Sequence, residues 1–327
     1  MLFENPSELR QRIESFTQRP LAPKVPILED TSEYMAIQTG MVLRLEGNDY
    51  YVTGDAREGR FGINEQPKFW VKYAIDLTTA ERKVIKLVFY EECSTRLGRF
   101  LLRCSRSPEK ESAILEIVRG HPLFMQGVTV RDAKGNTVRI LDNIHGESLF
   151  SYVVDIRQPH EEYFFETFPG LLRCFIPCID AIRFLHERGQ HHGDIRNDHV
   201  LIENGSGLYR WIDFDYQVDY PEYDLWSMGN ILIYVVGKGI HPIRTALQDP
   251  SRYPSKAADL TSDDAMVFYP YRVANLKKLY PYIPVKLNEV LLRFSNGARD
   301  TYKDFQSQMD DLQEALSLMS AGSPTPV

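Results

Sequence analysis

Apolar and polar positions change rhythm along the chain, and each change marks a boundary. Residues 4–18 repeat at helical spacing through Leu9, Ile13 and Phe16, with Asn5-Pro6-Ser7 as the start signal. The next stretch, RPLAPKVPILED at 19–30, holds three prolines and reads as an extended linker. Between about 41 and 145 strands dominate. MVLRLEGNDYYVTG turns at Gly47-Asn48-Asp49, FWVKYAIDL and RKVIKLVFY flank TTAE, and VTVRD and TVRIL flank Lys134-Gly135-Asn136. One helix is expected among them, SPEKESAILEIVRG, opened by Ser107-Pro108 with acids in its first turn. From about 160 long helical periodicity takes over in FFETFPGLLRCFIPCIDAIRFLHERG, LWSMGNILIYVVGKG and YKDFQSQMDDLQEALSLM. VLIENGSGLYRWIDF, between the first two, reads as a hairpin turning at Asn204-Gly205-Ser206-Gly207, and the tail SAGSPTPV as disordered. The expectation is an α+β chain: a helix and linker at 1–40, a small β-rich lobe with one main helix at 41–145, a larger mainly helical lobe at 146–319, and a tail at 320–327.

Composition narrows the partners. The 327 residues carry 38 Lys and Arg against 45 Asp and Glu, a formal charge of −7, so nucleic acid is not an expected partner. Four cysteines form no CxxC pair, which argues against a zinc ribbon and for reduced thiols in the cytoplasm. Cys174 and Cys178 are spaced as two small residues on one helix face. No run approaches the roughly 20 apolar residues of a membrane span, and the N-terminus lacks the apolar core of a signal peptide.

The chemistry concentrates in HHGDIRNDHVLI, followed by WIDFDY. Asp194 and Asp213 end neighbouring strands there, so one carboxylate can take a hydroxyl proton while the other binds a metal carrying phosphates. This resembles the protein-kinase-like superfamily, whose catalytic loop and D-F-G metal motif fall in this order. The resemblance covers roughly residues 45–318 and implies a bilobal fold. It places Lys86 as the phosphate-binding lysine and Glu111 as its partner. It places Gly59, Phe61 and Gly62 of REGRFGI in the phosphate-covering loop, with Arg57 at the first glycine position. Asp142 to Ile144 would meet adenine through the backbone, Arg196 fills the loop's basic position, and Asp224 would anchor the catalytic loop. Leu115, His192 and Phe214 would stack above Asp224. ATP with Mg2+ or Mn2+, and an unknown hydroxyl acceptor, are the implied partners.

Three departures qualify the likeness. His199 stands where the superfamily has asparagine, so it either ligates a metal softer than magnesium or supports the loop. The loop reads HGD, as in aminoglycoside, choline, RIO and Kdo kinases, and Asp215 replaces the last glycine of D-F-G. Only ten residues, 214–223, separate Asp213 from Asp224, too few for the usual peptide platform. The expected activity is phosphotransfer from ATP to a hydroxyl, a protein Ser/Thr in the first instance. A small-molecule kinase and a pseudokinase scaffold are the alternatives.

Overall fold

The computed structural model describes residues 2–18, 21, 24–60, 63–249, 253, 257 and 259–321. Chain contacts divide it into two units: residues 1–91, 106–121 and 125–144, and residues 92–105, 122–124 and 145–327. The second unit therefore takes back two short pieces from a stretch that reads as small lobe.

In the first unit a seven-stranded sheet runs in the order β1-β2-β3-β4-β5-β9-β8. Its strands are β1 (Ile27–Leu28), β2 (Val42–Leu45), β3 (Asn48–Arg60), β4 (Ile63–Asp76), β5 (Arg82–Lys86), β8 (Gly127–Arg131) and β9 (Thr137–Asp142). Alternation puts Leu43, Leu45, Val52, Ala74, Ile85, Val138 and Ile140 into one core, all under a tenth exposed. Helix α1 (Pro6–Thr17) starts where the sequence signals it, with the Asn5 side chain accepting from the Ser7 N–H. Its Leu9 and Ile13 pack with Val42, Tyr51 and Leu77, so the N-terminal helix is built onto this unit. The second helix, α2 (Pro108–Ile117), is capped by Ser107, whose Oγ accepts from the Lys110 N–H.

The second unit is mainly helical. Its helices are α3 (Leu149–Asp155), the single turn α4 (His160–Glu162), α5 (Phe168–His186), α6 (Tyr223–Val236), α7 (Ile243–Gln248), α8 (Val285–Leu292) and α9 (Phe305–Ala321). A π-helical turn, Tyr163–Thr167, joins α4 to α5. α9 runs through Ala321, so residues 320 and 321 are helical rather than tail. The rest of the tail, 322–327, lies outside the described residues. Helix α5 buries Leu171, Leu172, Phe175, Ile179, Ile182 and Leu185 along one face, as its spacing demands. β11 (Val200–Glu203) and β12 (Tyr209–Trp211) form the expected hairpin, joined by β10 (Gly146–Ser148). A Cβ on Gly146 would lie 2.0 Å from the Ile202 carbonyl oxygen, so only glycine lets β10 pair there.

One element has no counterpart in the sequence reading. β6 (Glu91–Leu97) and β7 (Phe100–Arg106) form a hairpin between β5 and α2. Together with β13 (Tyr216–Val218) it makes a three-stranded sheet ordered β13-β7-β6. Asp219 fastens it, accepting from the Arg103 N–H at 2.8 Å and donating its own N–H to the Arg103 carbonyl at 3.1 Å.

Candidate active site

The first unit supplies a buried cation pair around one carboxylate. Lys86 ends β5 and Glu111 lies in the first turn of α2, and their charged atoms are 2.6 Å apart. Glu111 is fully buried and also receives Arg139 Nε at 3.2 Å. Arg139, on β9 and equally enclosed, is held by the Thr137 carbonyl as well. Sequence reading found Lys86 and Glu111 but missed Arg139. The signal lay in TVRIL, where a charged residue takes an inward position on a buried strand. A single buried carboxylate between two cations is strongly ordered, since leaving a buried charge unpaired costs about 3–5 kcal/mol.

Other expected residues of this unit are more scattered. Gly59 lies near the end of β3, while Phe61 and Gly62 lie outside the described residues. Asp142 ends β9 with its carboxylate on Lys83 at 2.8 Å and its N–H on the Gln126 carbonyl, and Ile144 follows, half-buried.

The second unit gathers the acids. Asp224, at the start of α6, is buried and accepts from the backbone N–H groups of His192 at 2.7 Å and Gly193 at 2.9 Å, and meets His186 Nε2 at 2.8 Å. Burial disfavours its charge, yet the His186 hydrogen bond, the nearby histidines and the Gly193 N–H hold its carboxyl down to about 2. Gly193 itself has φ +81°, a conformation that suits glycine at the tightest point of the loop. Above Asp224, His192 meets Phe214 edge-on at 6.0 Å and Trp211 at 5.2 Å, and Phe214 in turn meets Phe124. Of the expected column, His192, Phe214 and Asp224 are thus linked within this unit. Leu115 is buried in the first unit.

His199 sits between the two carboxylates. Its Nδ1 lies 2.8 Å from the Asp194 carbonyl oxygen and 3.6 Å from Asp194 Oδ2, while its Nε2 lies 3.6 Å from Asp213 Oδ2 and 2.6 Å from Arg196 Nη2. A carbonyl can only accept and a guanidinium can only donate, so Nδ1 carries the proton and Nε2 presents a lone pair. That lone pair accepts from Arg196 and lies beside Asp213, whose carboxylate could hold a metal. Asp213 has φ +65°, in the left-handed region, which a non-glycine residue enters at a cost of about 1–3 kcal/mol. Burial pushes the Asp194 carboxyl upward; His199 and Arg196 oppose this, and the negative charges of Asp213 and Asp215 add to it. Arg196 Nε is 3.8 Å from Asp194 Oδ1, and its Nη2 also holds Asp198 at 3.0 Å. A carboxylate with a raised affinity for protons, beside a cation and a second carboxylate, can accept a proton from a hydroxyl.

No family profile matches the chain. It is 24% identical over 263 residues to the smooth-muscle myosin light chain kinase of Gallus gallus, covering 66% of this chain and 13% of that protein. It is 27% identical over 144 residues to CBL-interacting serine/threonine-protein kinase 17 of Arabidopsis thaliana, covering 44% of this chain and 30% of that protein. The chain thus spans under a third of either relative's length. Two solved double mutants of the PknI kinase domain from Mycobacterium tuberculosis superpose with TM-scores of 0.52 and 0.51 at 14% and 16% identity. Each covers 86% of this chain and 99% or more of the domain. The chain has the protein-kinase-like fold. Among its described residues no helix is long and apolar enough to cross a membrane.

Proposed function

We propose that the protein is an ATP-dependent phosphotransferase that moves the terminal phosphoryl group of ATP to a hydroxyl acceptor, a protein Ser/Thr side chain in the first instance. The observation that carries this reading is the acid pair Asp194 and Asp213 on either side of His199, each 3.6 Å from an imidazole nitrogen. Asp194 orients the acceptor hydroxyl and takes its proton, a task its upward-shifted carboxyl suits. Arg196, bonded to His199 and 3.8 Å from Asp194, supplies positive charge beside the reacting group. Lys86, fixed by Glu111, would hold the α- and β-phosphates of ATP, and the backbone of Asp142 to Ile144 would face its adenine. Such chemistry is mostly positioning and charge stabilisation.

A divalent cation would neutralise phosphate charge, held by Asp213 and, once Arg196 gives up its hydrogen bond, by the Nε2 lone pair of His199. One oxygen and one nitrogen donor suit manganese better than magnesium, which favours oxygen ligands. The HGD loop and the ten-residue spacing to Asp224 support small-molecule acceptors as the second reading. A scaffold without turnover is the reading from a different class, and its support is His199.

The test is purified protein with γ-labelled ATP, generic protein acceptors, a panel of hydroxylated metabolites, and either metal. The reading expects labelled product that Asp194→Asn abolishes. Nucleotide binding with no transfer or hydrolysis under either metal would leave the scaffold.

A further inference from the structure

The β6–β7 hairpin carries two of the four cysteines, and its turn fixes their relation. The strands are joined by two residues, Gly98 and Arg99, so Leu97 faces Phe100 and counting back sets Cys93 directly opposite Cys104. Directly opposed residues in an antiparallel pair have Cα atoms about 4.5–5.5 Å apart, inside the roughly 4.4–6.8 Å that a disulfide spans. Opposed residues also point to the same face of the sheet. Both cysteines accordingly line one cavity of about 590 Å3, with Arg103, Gln217 and Asp219. Cys93 is exposed and Cys104 half-buried, both as free thiols.

The hairpin is held in this register from its tip. Gly98 has φ +57°, and a Cβ there would lie 2.2 Å from the Val267 carbonyl oxygen, so the turn sits against backbone. Phe100 packs between Tyr220 at 5.5 Å and Phe268 at 5.8 Å. Asp219 bonds both backbone groups of Arg103, next to Cys104. A one-residue slip would lose all of these contacts.

We propose that Cys93 and Cys104 are an oxidative modification site, a dithiol that closes to an intrachain disulfide under a two-electron oxidant such as hydrogen peroxide. The exposed Cys93 sulfur attacks a peroxide oxygen, giving a sulfenic acid and one water. Cys104 sulfur then displaces hydroxide from Cys93, and its proton leaves with that hydroxide as a second water. Two thiols and one peroxide thus become a disulfide and two waters. Cys93, the exposed thiol, meets the oxidant; burial, then the Cys93 sulfur beside it, pushes the Cys104 thiol up to about 12, so the resolving step by Cys104 is the slow one. The other two cysteines offer no such arrangement. They lie four apart on α5, where Cys178 is buried and points its thiol at the Cys174 carbonyl.

Because β7 is the central strand, the bond would tie the outer strand to the one that pairs with β13, which begins three residues after Asp213. The disulfide therefore sets how tightly residues 216–218 are held, whether or not the protein transfers phosphate.

The test is the full chain treated with hydrogen peroxide, then blocked with iodoacetamide and digested with trypsin without reduction. The expected product is LVFYEECSTR linked to CSR, with a loss of about 2 Da per chain, reversed by dithiothreitol. Cys93→Ser and Cys104→Ser must each abolish the linked species, with unchanged circular dichroism confirming that they fold. Hydrogen exchange of 91–106 and 216–218 should slow about tenfold or more in the oxidised chain. Separate sulfinic acids without a crosslink, or a link through Cys174 or Cys178, would overturn the proposal, as would unchanged exchange of 216–218.

Discussion

Replacing Asp224 by asparagine tests the anchor that holds the backbone of His192 and Gly193. Its carboxyl is buried and held at about 2, against 3.8 for a free aspartate. That difference is worth about 2 kcal/mol of stability at neutral pH. The sign follows from the shift being downward. The unfolded chain binds a proton near pH 3.8 that the folded chain refuses until about 2, so the contribution is complete above about pH 5. It is halved near pH 3 and lost as pH falls through about 2. Asparagine removes this charge and also turns one acceptor into a donor. One of the His192 and Gly193 N–H groups is then left facing an amide NH2, which costs a further 1–3 kcal/mol or so. The sum, about 3–5 kcal/mol, corresponds to a melting shift on the order of 10 °C for a unit of this size. Thermal and urea unfolding of both proteins between pH 7 and 3 measures it. The gap should be widest at pH 7 and shrink by about 1 kcal/mol at pH 3. A variant that melts within a degree of the parent, or a gap that ignores pH, would refute the claim that an ionised Asp224 carries the loop.

Breaking the buried cluster should be costly in a different way. Glu111→Gln leaves Lys86 and Arg139 without their shared carboxylate and should destabilise by about 3–5 kcal/mol, whereas Arg139→Met should cost less and lower nucleotide affinity, read by urea unfolding and by a fluorescent ATP analogue. If Arg139→Met matches Glu111→Gln in both readouts, the two cations are not sharing one anchor. His199→Asn should shift the metal preference of ATP turnover from manganese toward magnesium; equal Mg/Mn ratios in parent and variant would remove His199 from the metal's ligands. His160 is stacked on Tyr280 and bonded to the Val236 carbonyl, and burial holds its imidazole down to about 4. The unfolded chain takes that proton near 6.5, so stability present at pH 7 should be lost by up to about 3 kcal/mol as pH falls from 6.5 to 4. A His160→Phe variant should flatten that slope, and an unchanged slope would assign it to other groups. Ile13→Ala should cost about 2–4 kcal/mol in the first unit, checked by thermal unfolding, because its side chain is wholly buried between α1 and the sheet.

What could be read from the sequence follows the range of the forces involved. α1, α2, β11 and β12 carry their own signals in Asn5, Ser107 and the Asn204–Gly207 turn, and these local features survive into the fold. The polar residues were legible by order: Lys86 meets Glu111 as the resemblance implied, and Asp194 and Asp213 lie on either side of His199 as their spacing implied. Arg139 was only half legible: TVRIL shows a charge inside an apolar strand, but whether it faces the core depends on partners far along the chain. The β6–β7 hairpin was missed for a related reason. CSTRL and FLLRC alternate weakly around Leu97-Gly98-Arg99, and most of β6 is exposed, so no apolar face announces it. Its partners, Asp219, Tyr220 and Phe268, lie more than a hundred residues downstream.

That hairpin answers a question the spacing raised. Ten residues between Asp213 and Asp224 are too few to build a platform from themselves, and a bare strand of three residues would not hold alone. The chain solves this with material from upstream. β7 pairs with β13, Arg103 is bonded at both backbone groups by Asp219, and the tip rests on the Val267 backbone. The HGD loop also lacks the arginine that the resemblance would lead one to expect as the receiver of a phosphate on this segment. Under the proposed dithiol chemistry, control of that segment acts through its partner strand, where Cys104 stands opposite Cys93. Deleting residues 94–103 and closing the strands with a short glycine linker would separate the two ideas. If β13 depends on the hairpin, amide exchange at 216–218 should rise to the rate of an open loop while α6 stays protected. Retained protection at 216–218 would show that this short segment supports itself.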